Sequence, residues 1–198
     1  MSKRPTWIRL AVIPALLAAG LLPSPAPAQR YVRGEDPAFP KIKYADSLVS
    51  LNDRCIVQRS KLNLKIRPAY VNWRPIGFCC KGCPEMFMIQ PEKFLKQHKV
   101  DIRCVVNQGR NANPDASRRA FVNREIYFFS TRDAMALFKR NTLKYCGWLT
   151  DPVSGVRFRP TASSPRMVHE GIPFYFSTHS TRMQFEAMPD SFAERKDW

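Results

Sequence analysis

Residues 75–83 read Pro75-Ile76-Gly77-Phe78-Cys79-Cys80-Lys81-Gly82-Cys83, and Phe87, Pro91 and Phe94 follow. A short apolar run ends on a polar anchor, Cys79, and aromatic residues return at +8 and +15 from it. The same frame occurs twice more. Ile126-Tyr127-Phe128-Phe129-Ser130 is followed by Phe138 and Tyr145, and Pro173-Phe174-Tyr175-Phe176-Ser177 by Phe185 and Phe192. Proline falls at +12 in the first and third copies, and Asn141 at +11 in the second. Three matches at one spacing identify an internal repeat, which sets the fold before any single element is assigned.

Each copy extends upstream. Asn72-Trp73-Arg74-Pro75, Asn123-Arg124-Glu125 and Glu170-Gly171-Ile172 precede the aromatic runs. Asn and Gly tolerate the left-handed backbone of tight hairpin turns. The aromatic and β-branched runs, Ala69-Tyr70-Val71 among them, read as strands. The stretch after each anchor reads as helix. Ser130-Thr131-Arg132-Asp133 resembles an N-cap with an acid three residues on, and Met135 and Phe138 share a helical face. Pro84 suits a first helical turn, while Pro91 and Pro189 end one helix and open another. The fold class is therefore α+β, a β-hairpin plus helix repeated three times. A unit of roughly 45 residues buries little core alone, so the copies must pack together or hold a metal.

Further upstream lie Asn52-Asp53-Arg54-Cys55-Ile56-Val57, Asp101-Ile102-Arg103-Cys104-Val105-Val106 and Thr150-Asp151-Pro152-Val153-Ser154-Gly155. The expected boundaries are a linker over 29–49, modules over 50–97, 98–146 and 147–193, and a tail over 194–198. Residues 1–28 read as a secretory signal peptide. Lys3, Arg4 and Arg9 precede an apolar run from Leu10 to Leu22, and a small-residue cleavage site precedes Gln29. The run is shorter than the about 20 apolar residues of a spanning helix. The expected product is an exported, periplasmic or secreted chain with no transmembrane anchor.

The first copy carries chemistry that the others lack. Cys55 sits in the upstream turn, and Cys79, Cys80 and Cys83 sit where strand passes to helix. A helix N-terminus presents partial positive charge and free N–H groups. Both favour thiolate, the form that binds metal. Thiolates from a knuckle before a helix, with one from a distant turn, suit a tetrahedral zinc or a copper(I) site. Cys80, Asp53, His98 and water are the candidates for a fourth ligand.

The pattern D-x-C, then F-C-C-x-G-C, a Phe four residues on and P-E-K-F, resembles the YHS domain and its relative, the TRASH metal-binding module. The resemblance covers most of residues 50–193 and is specific in the first copy. It implies a small, zinc-finger-like α+β module that binds heavy metals such as zinc or copper as an accessory or sensing domain. It also implies Cys55, Cys79 and Cys83 as ligands, with Cys80 where many members have Ser. The second copy has Cys104, Ser130 and Ala134 at these positions, and the third has Ser154, Ser177 and Thr181. Neutral hydroxyls are poor ligands for soft metals, so these copies read as degenerate modules kept for packing or partner contact.

Two other readings of the cysteines stand beside metal binding. Exported thiols tend to oxidise, and six cysteines allow 15 disulfide connectivities. Cys104 with Cys146 is the expected bridge, and Cys55 with Cys79 or Cys83 a second, in a scaffold or interaction protein. Cys80-Lys81-Gly82-Cys83 is also a C-x-x-C at a strand–helix junction, the arrangement of a thiol redox protein. No βαβ alternation surrounds it.

The chain has 32 Lys+Arg against 16 Asp+Glu. Removal of the leader takes three basic residues and no acid, leaving 29 against 16, an excess of +13. That balance favours an anionic envelope component or a protein partner, and export argues against nucleic acid. His98, His169 and His179 lack metal-knuckle spacing apart from the last two, and His179 is a residual ligand candidate in the third copy. No paired-carboxylate, Ser/His/Asp or phosphate-loop pattern is present, so the expectation is a non-enzymatic protein.

Overall fold

A computed structural model describes residues 28–193. Apart from Ala28, the expected signal peptide lies outside the described residues, as does the expected tail. The chain is α+β. An N-terminal ribbon pairs β1 (Arg30–Val32) with β2 (Lys41–Lys43). The order hairpin, helix, shorter helix then occurs three times. First come β3 (Ala69–Val71), β4 (Arg74–Ile76), α1 (Gly82–Ile89) and α2 (Pro91–Gln97). Next are β5 (Arg119–Val122), β6 (Glu125–Phe128), α3 (Arg132–Arg140) and α4 (Thr142–Tyr145). A short ribbon, β7 (Leu149–Thr150) with β8 (Arg157–Phe158), leads to β9 (Arg166–His169), β10 (Ile172–Tyr175), α5 (His179–Ala187) and α6 (Pro189–Ala193). Among the described residues no helix is long and apolar enough to cross a membrane.

The hairpins turn at Asn72-Trp73, Asn123-Arg124 and Glu170-Gly171, and both residues of each pair have positive φ. This is the primed turn that matches strand twist. The first two hairpins join into one sheet, ordered β4-β3-β6-β5, in which β3 and β6 run parallel through Val71 and Ile126.

Each strand end then packs on its own helix. Phe78 lies 5.6 Å from Phe87, Phe129 5.1 Å from Phe138, and Phe176 5.3 Å from Phe185, ring centre to ring centre. The +8 aromatics are thus fully buried core residues. Fully burying such a side chain is worth roughly 1.5–3 kcal/mol. The first two units share one continuous core, while Phe174, Phe176 and Phe185 form a separate small one.

The helix starts differ from the expectation by one residue. Thr131 and Thr178 cap α3 and α5, accepting from the N–H groups of Ala134 and Thr181. Ser130 and Ser177 lie just before the caps and are free for other bonds. Helix α1 begins without a side-chain cap, and Pro84 occupies its first turn. Pro91 and Pro189 open α2 and α6 as expected.

Asparagine side chains join consecutive units. Asn72 Nδ2 donates to the carbonyls of Arg103 and Phe128, both at 2.8 Å, and its Oδ1 accepts from the Phe128 N–H at 2.7 Å. Asn123 repeats this one unit on. It donates to the carbonyls of Thr150 and Tyr175 and accepts from the Tyr175 N–H. Both residues are buried, so truncation strands several polar groups without water. Each such group costs roughly 1–3 kcal/mol. Asn123→Ala is expected to lower unfolding free energy by about 3 kcal/mol in urea titration, and an unchanged midpoint would refute the clamp.

A charged network crosses the same junction. Glu125 accepts from the Thr150 N–H (2.8 Å), the Thr150 hydroxyl (3.1 Å) and the Arg157 guanidinium. Arg157 stacks 3.7 Å over Tyr70, whose hydroxyl donates to Asp46. Burial pushes the Glu125 carboxyl up to about 7, against the pull of Arg157 and Thr150. An acid raised on folding stabilises the fold at low pH and loses that contribution as pH rises through the folded value. Between pH 4.5 and 7 the Glu125 contribution therefore falls with rising pH, by roughly 3 kcal/mol in all. Glu125→Gln is expected to remove this slope from a plot of unfolding free energy against pH.

Candidate metal centre

The first unit's thiols are placed by three local devices. The first is a tight turn after Cys55, in which Cys55 N–H donates to the Ser60 carbonyl and Arg59 N–H returns to the Cys55 carbonyl, both at 2.8 Å. Arg59 takes the left-handed conformation that closes the turn. The second is Asn52, whose amide donates to the carbonyls of Arg54 and Gly77 and accepts from the Gly77 N–H, all at 2.8 Å. It fixes the residue before Cys55 against the residue two before Cys79. A Cβ on Gly77 would lie 2.8 Å from a methyl of Leu62, so a side chain at the strand end would have to displace Leu62. The third device is the start of α1, which carries Cys83 in its first turn.

The result is convergence. The Sγ atoms of Cys55, Cys79 and Cys83 all lie within 4.8 Å of one another. Cys79 Sγ is 3.6 Å from Cys83 Sγ and 3.5 Å from Gln58 Oε1. Cys55 and Cys83 are fully buried, while Cys79 is partly exposed. Cys80 stands outside the mutual group, with its Sγ 3.0 Å from that of Cys83.

The thiols differ in acidity. Burial pushes Cys79 up to about 11, helped by its contacts with Cys55. Burial, and then the bond to Cys80, raises Cys83 far above an ordinary thiol. The bond to Cys83 pulls Cys80 below its usual value. Cys79 and Cys83 are thus protonated at neutral pH when no metal is bound. An ion entering the cluster displaces protons.

The other fourth-ligand candidates face elsewhere. His98 Nδ1 lies 3.0 Å from an Arg59 guanidinium nitrogen, and burial together with Arg59 lowers its pKa. The Asp53 carboxylate accepts from the Asp36 N–H. His179 opens α5 and is exposed. Cys104 and Cys146, the pair expected to form a bridge, are both buried free thiols, Cys104 beside Asn107 and Ser130 and Cys146 beside Glu125 and Arg159. Burial alone would raise the Cys104 thiol, but hydrogen bonds from Asn107, Ser130 and Val106 bring it below its ordinary value. Burial and the Glu125 charge push Cys146 up to about 12.

The corresponding place in the third unit is occupied by Asp151, not by Ser154. Asp151 N–H donates to the Val156 carbonyl and the Gly155 N–H returns to the Asp151 carbonyl, as at Cys55. Gly155 has positive φ, like Arg59. The clamp acceptors Arg54, Arg103 and Thr150 directly precede Cys55, Cys104 and Asp151. The Asp151 carboxylate then gathers the groups that stand where Cys79 and Cys83 stand. Its Oδ2 accepts from the Ser177 N–H (2.7 Å), the Ser177 hydroxyl (2.7 Å) and the Thr181 hydroxyl (2.8 Å). Hydrogen bonds hold there the positions that three thiols hold in the first unit. Residue spacing hid this equivalence, because the turn carries no cysteine to align on. No family model, no curated protein and no solved structure matches the chain.

Proposed function

We propose that the chain is an exported, non-enzymatic protein of three YHS-like modules, and that the first module binds one soft heavy-metal ion, zinc or copper, through Cys55, Cys79 and Cys83. The observation that carries this reading is the convergence of three sulfurs from two distant segments, two of them fully buried, within 4.8 Å. Thiolate sulfur is the donor that zinc and copper(I) favour. The modular reading is supported by the recurring hairpin–helix order and by the asparagine clamps at Asn52, Asn72 and Asn123. In the second and third modules the ligand positions hold Cys104, Ser130 and Ala134, and Asp151, Ser177 and Thr181. Those sets serve packing, not metal. The basic surface and the degenerate modules are available to an anionic envelope component or a protein partner.

The test is metal analysis with thiol counting on protein purified from the compartment where it accumulates. One zinc or copper per chain, with three thiols shielded from alkylation until a chelator is added, is the expected result. Protein without metal, with its cysteines joined in disulfides, would replace this reading with that of a cross-linked scaffold.

A further inference from the structure

Cys80 is the thiol that the three-sulfur group leaves over. It is partly exposed, whereas its neighbour Cys83 is fully buried. Their sulfurs are 3.0 Å apart, closer than the 3.6 Å between Cys79 and Cys83. The backbone holds them together as well, since the Cys83 N–H donates to the Cys80 carbonyl at 3.3 Å. A donor at this distance, on the solvent side of a buried ligand, is placed to exchange with that ligand.

We infer that Cys80 is an exchange ligand that passes the metal between the buried sulfurs and a thiol-bearing or chelating acceptor outside. The inference rests on the metal reading above and adds a transfer role to it. In the outward step a metal–Cys80 bond forms and the metal–Cys83 bond breaks. The Cys80 proton crosses the short contact to Cys83, so charge and atoms balance. The acceptor then forms bonds to the metal while those to Cys80, Cys79 and Cys55 break in turn, and each freed thiolate takes up the proton that the acceptor's incoming donor group, or water, gives up. Uptake runs the same steps in reverse. At each stage a new metal–donor bond forms as one metal–sulfur bond breaks, so the ion is never released free. A tethered thiol at contact distance acts at a far higher effective concentration than any free ligand.

The test uses the full mature chain loaded with one equivalent of zinc(II) under reducing conditions. Release to a chromophoric pyridylazo chelator is followed by stopped flow for wild type, Cys80→Ser and Cys80→Ala. Each variant should still bind one zinc with three shielded thiols and release it more slowly than wild type, by roughly tenfold or more. Release at the wild-type rate in both variants would overturn the transfer role. Loss of stoichiometric zinc in both, with the fold intact by circular dichroism, would also overturn it, by making Cys80 a permanent fourth ligand. If wild type itself binds neither zinc(II) nor copper(I), the metal reading fails first and the transfer role falls with it.

Discussion

Cys83→Ser is expected to weaken metal binding by orders of magnitude, because only the exchanging Cys80 is left to join Cys55 and Cys79. Cys83 is the fully buried member at the helix start and makes sulfur contacts with both Cys79 and Cys80. A hydroxyl in its place stays neutral and supplies no soft donor. The site would fall to two thiols of the original three. Structural thiolate sites bind zinc with about 10–16 kcal/mol at neutral pH, so losing one of three ligands moves affinity by orders of magnitude. Isothermal titration with zinc(II) gives the readout, and thermal unfolding separates lost binding from lost fold. Ligand thiols must shed protons on loading. Binding should therefore weaken as pH falls, by up to one released proton for each ligand thiol that is protonated before the ion binds.

Asp151→Ala is expected to cost about 3–5 kcal/mol of stability, the largest loss from any single side chain outside the thiol cluster. Besides the three donors on Oδ2, Oδ1 accepts the N–H groups of Val153 (2.9 Å) and Ser154 (3.0 Å). The residue is fully buried. Burial would raise its pKa, but the donors, led by the N–H and hydroxyl of Ser177, hold it below the usual carboxylate range. A depressed acid stabilises the fold above its unfolded pKa and loses that contribution as pH falls through the folded one. The Asp151 contribution thus fades only below about pH 4, in a window separate from that of Glu125. Hydrogen bonds to a charged group contribute roughly 1.5–3 kcal/mol each, and the stranded donors add their own cost. The third unit has its own small core, so the variant should lose protection from hydrogen exchange there first. A loss under 1 kcal/mol would show that the carboxylate is incidental.

Much of the fold is legible in the aromatic spacing. The +8 residues Phe87, Phe138 and Phe185 are core because each must meet the ring one place before its anchor. That is a local constraint, and a sequence displays it. The hairpin turns are legible for the same reason, through Asn and Gly at positions of positive φ. What the spacing hides is set by distant partners. Asn72 and Asn123 read as turn residues, yet their amides bind strands 56 and 52 positions away. The sequence pattern puts Ser154 opposite Cys55, and only the backbone bonds of Asp151 identify that residue as the counterpart. The helix caps moved by one residue because threonine follows serine at both sites and either hydroxyl satisfies the pattern. Of the thiol cluster, the resemblance implies Cys55, Cys79 and Cys83 as ligands, and the structure brings those three together and leaves Cys80 beside them. Sequence spacing could not separate Cys80 from Cys79, since both precede the helix.

X-ray absorption at the metal edge reads the ligand set itself, on the chain loaded with one equivalent of zinc(II) under reducing conditions. The expected first shell contains three sulfurs at about 2.3 Å, falling to two in Cys55→Ser, in which the distant turn no longer contributes. A shell of oxygen and nitrogen alone, or one unchanged by substitution of Cys55, would contradict it.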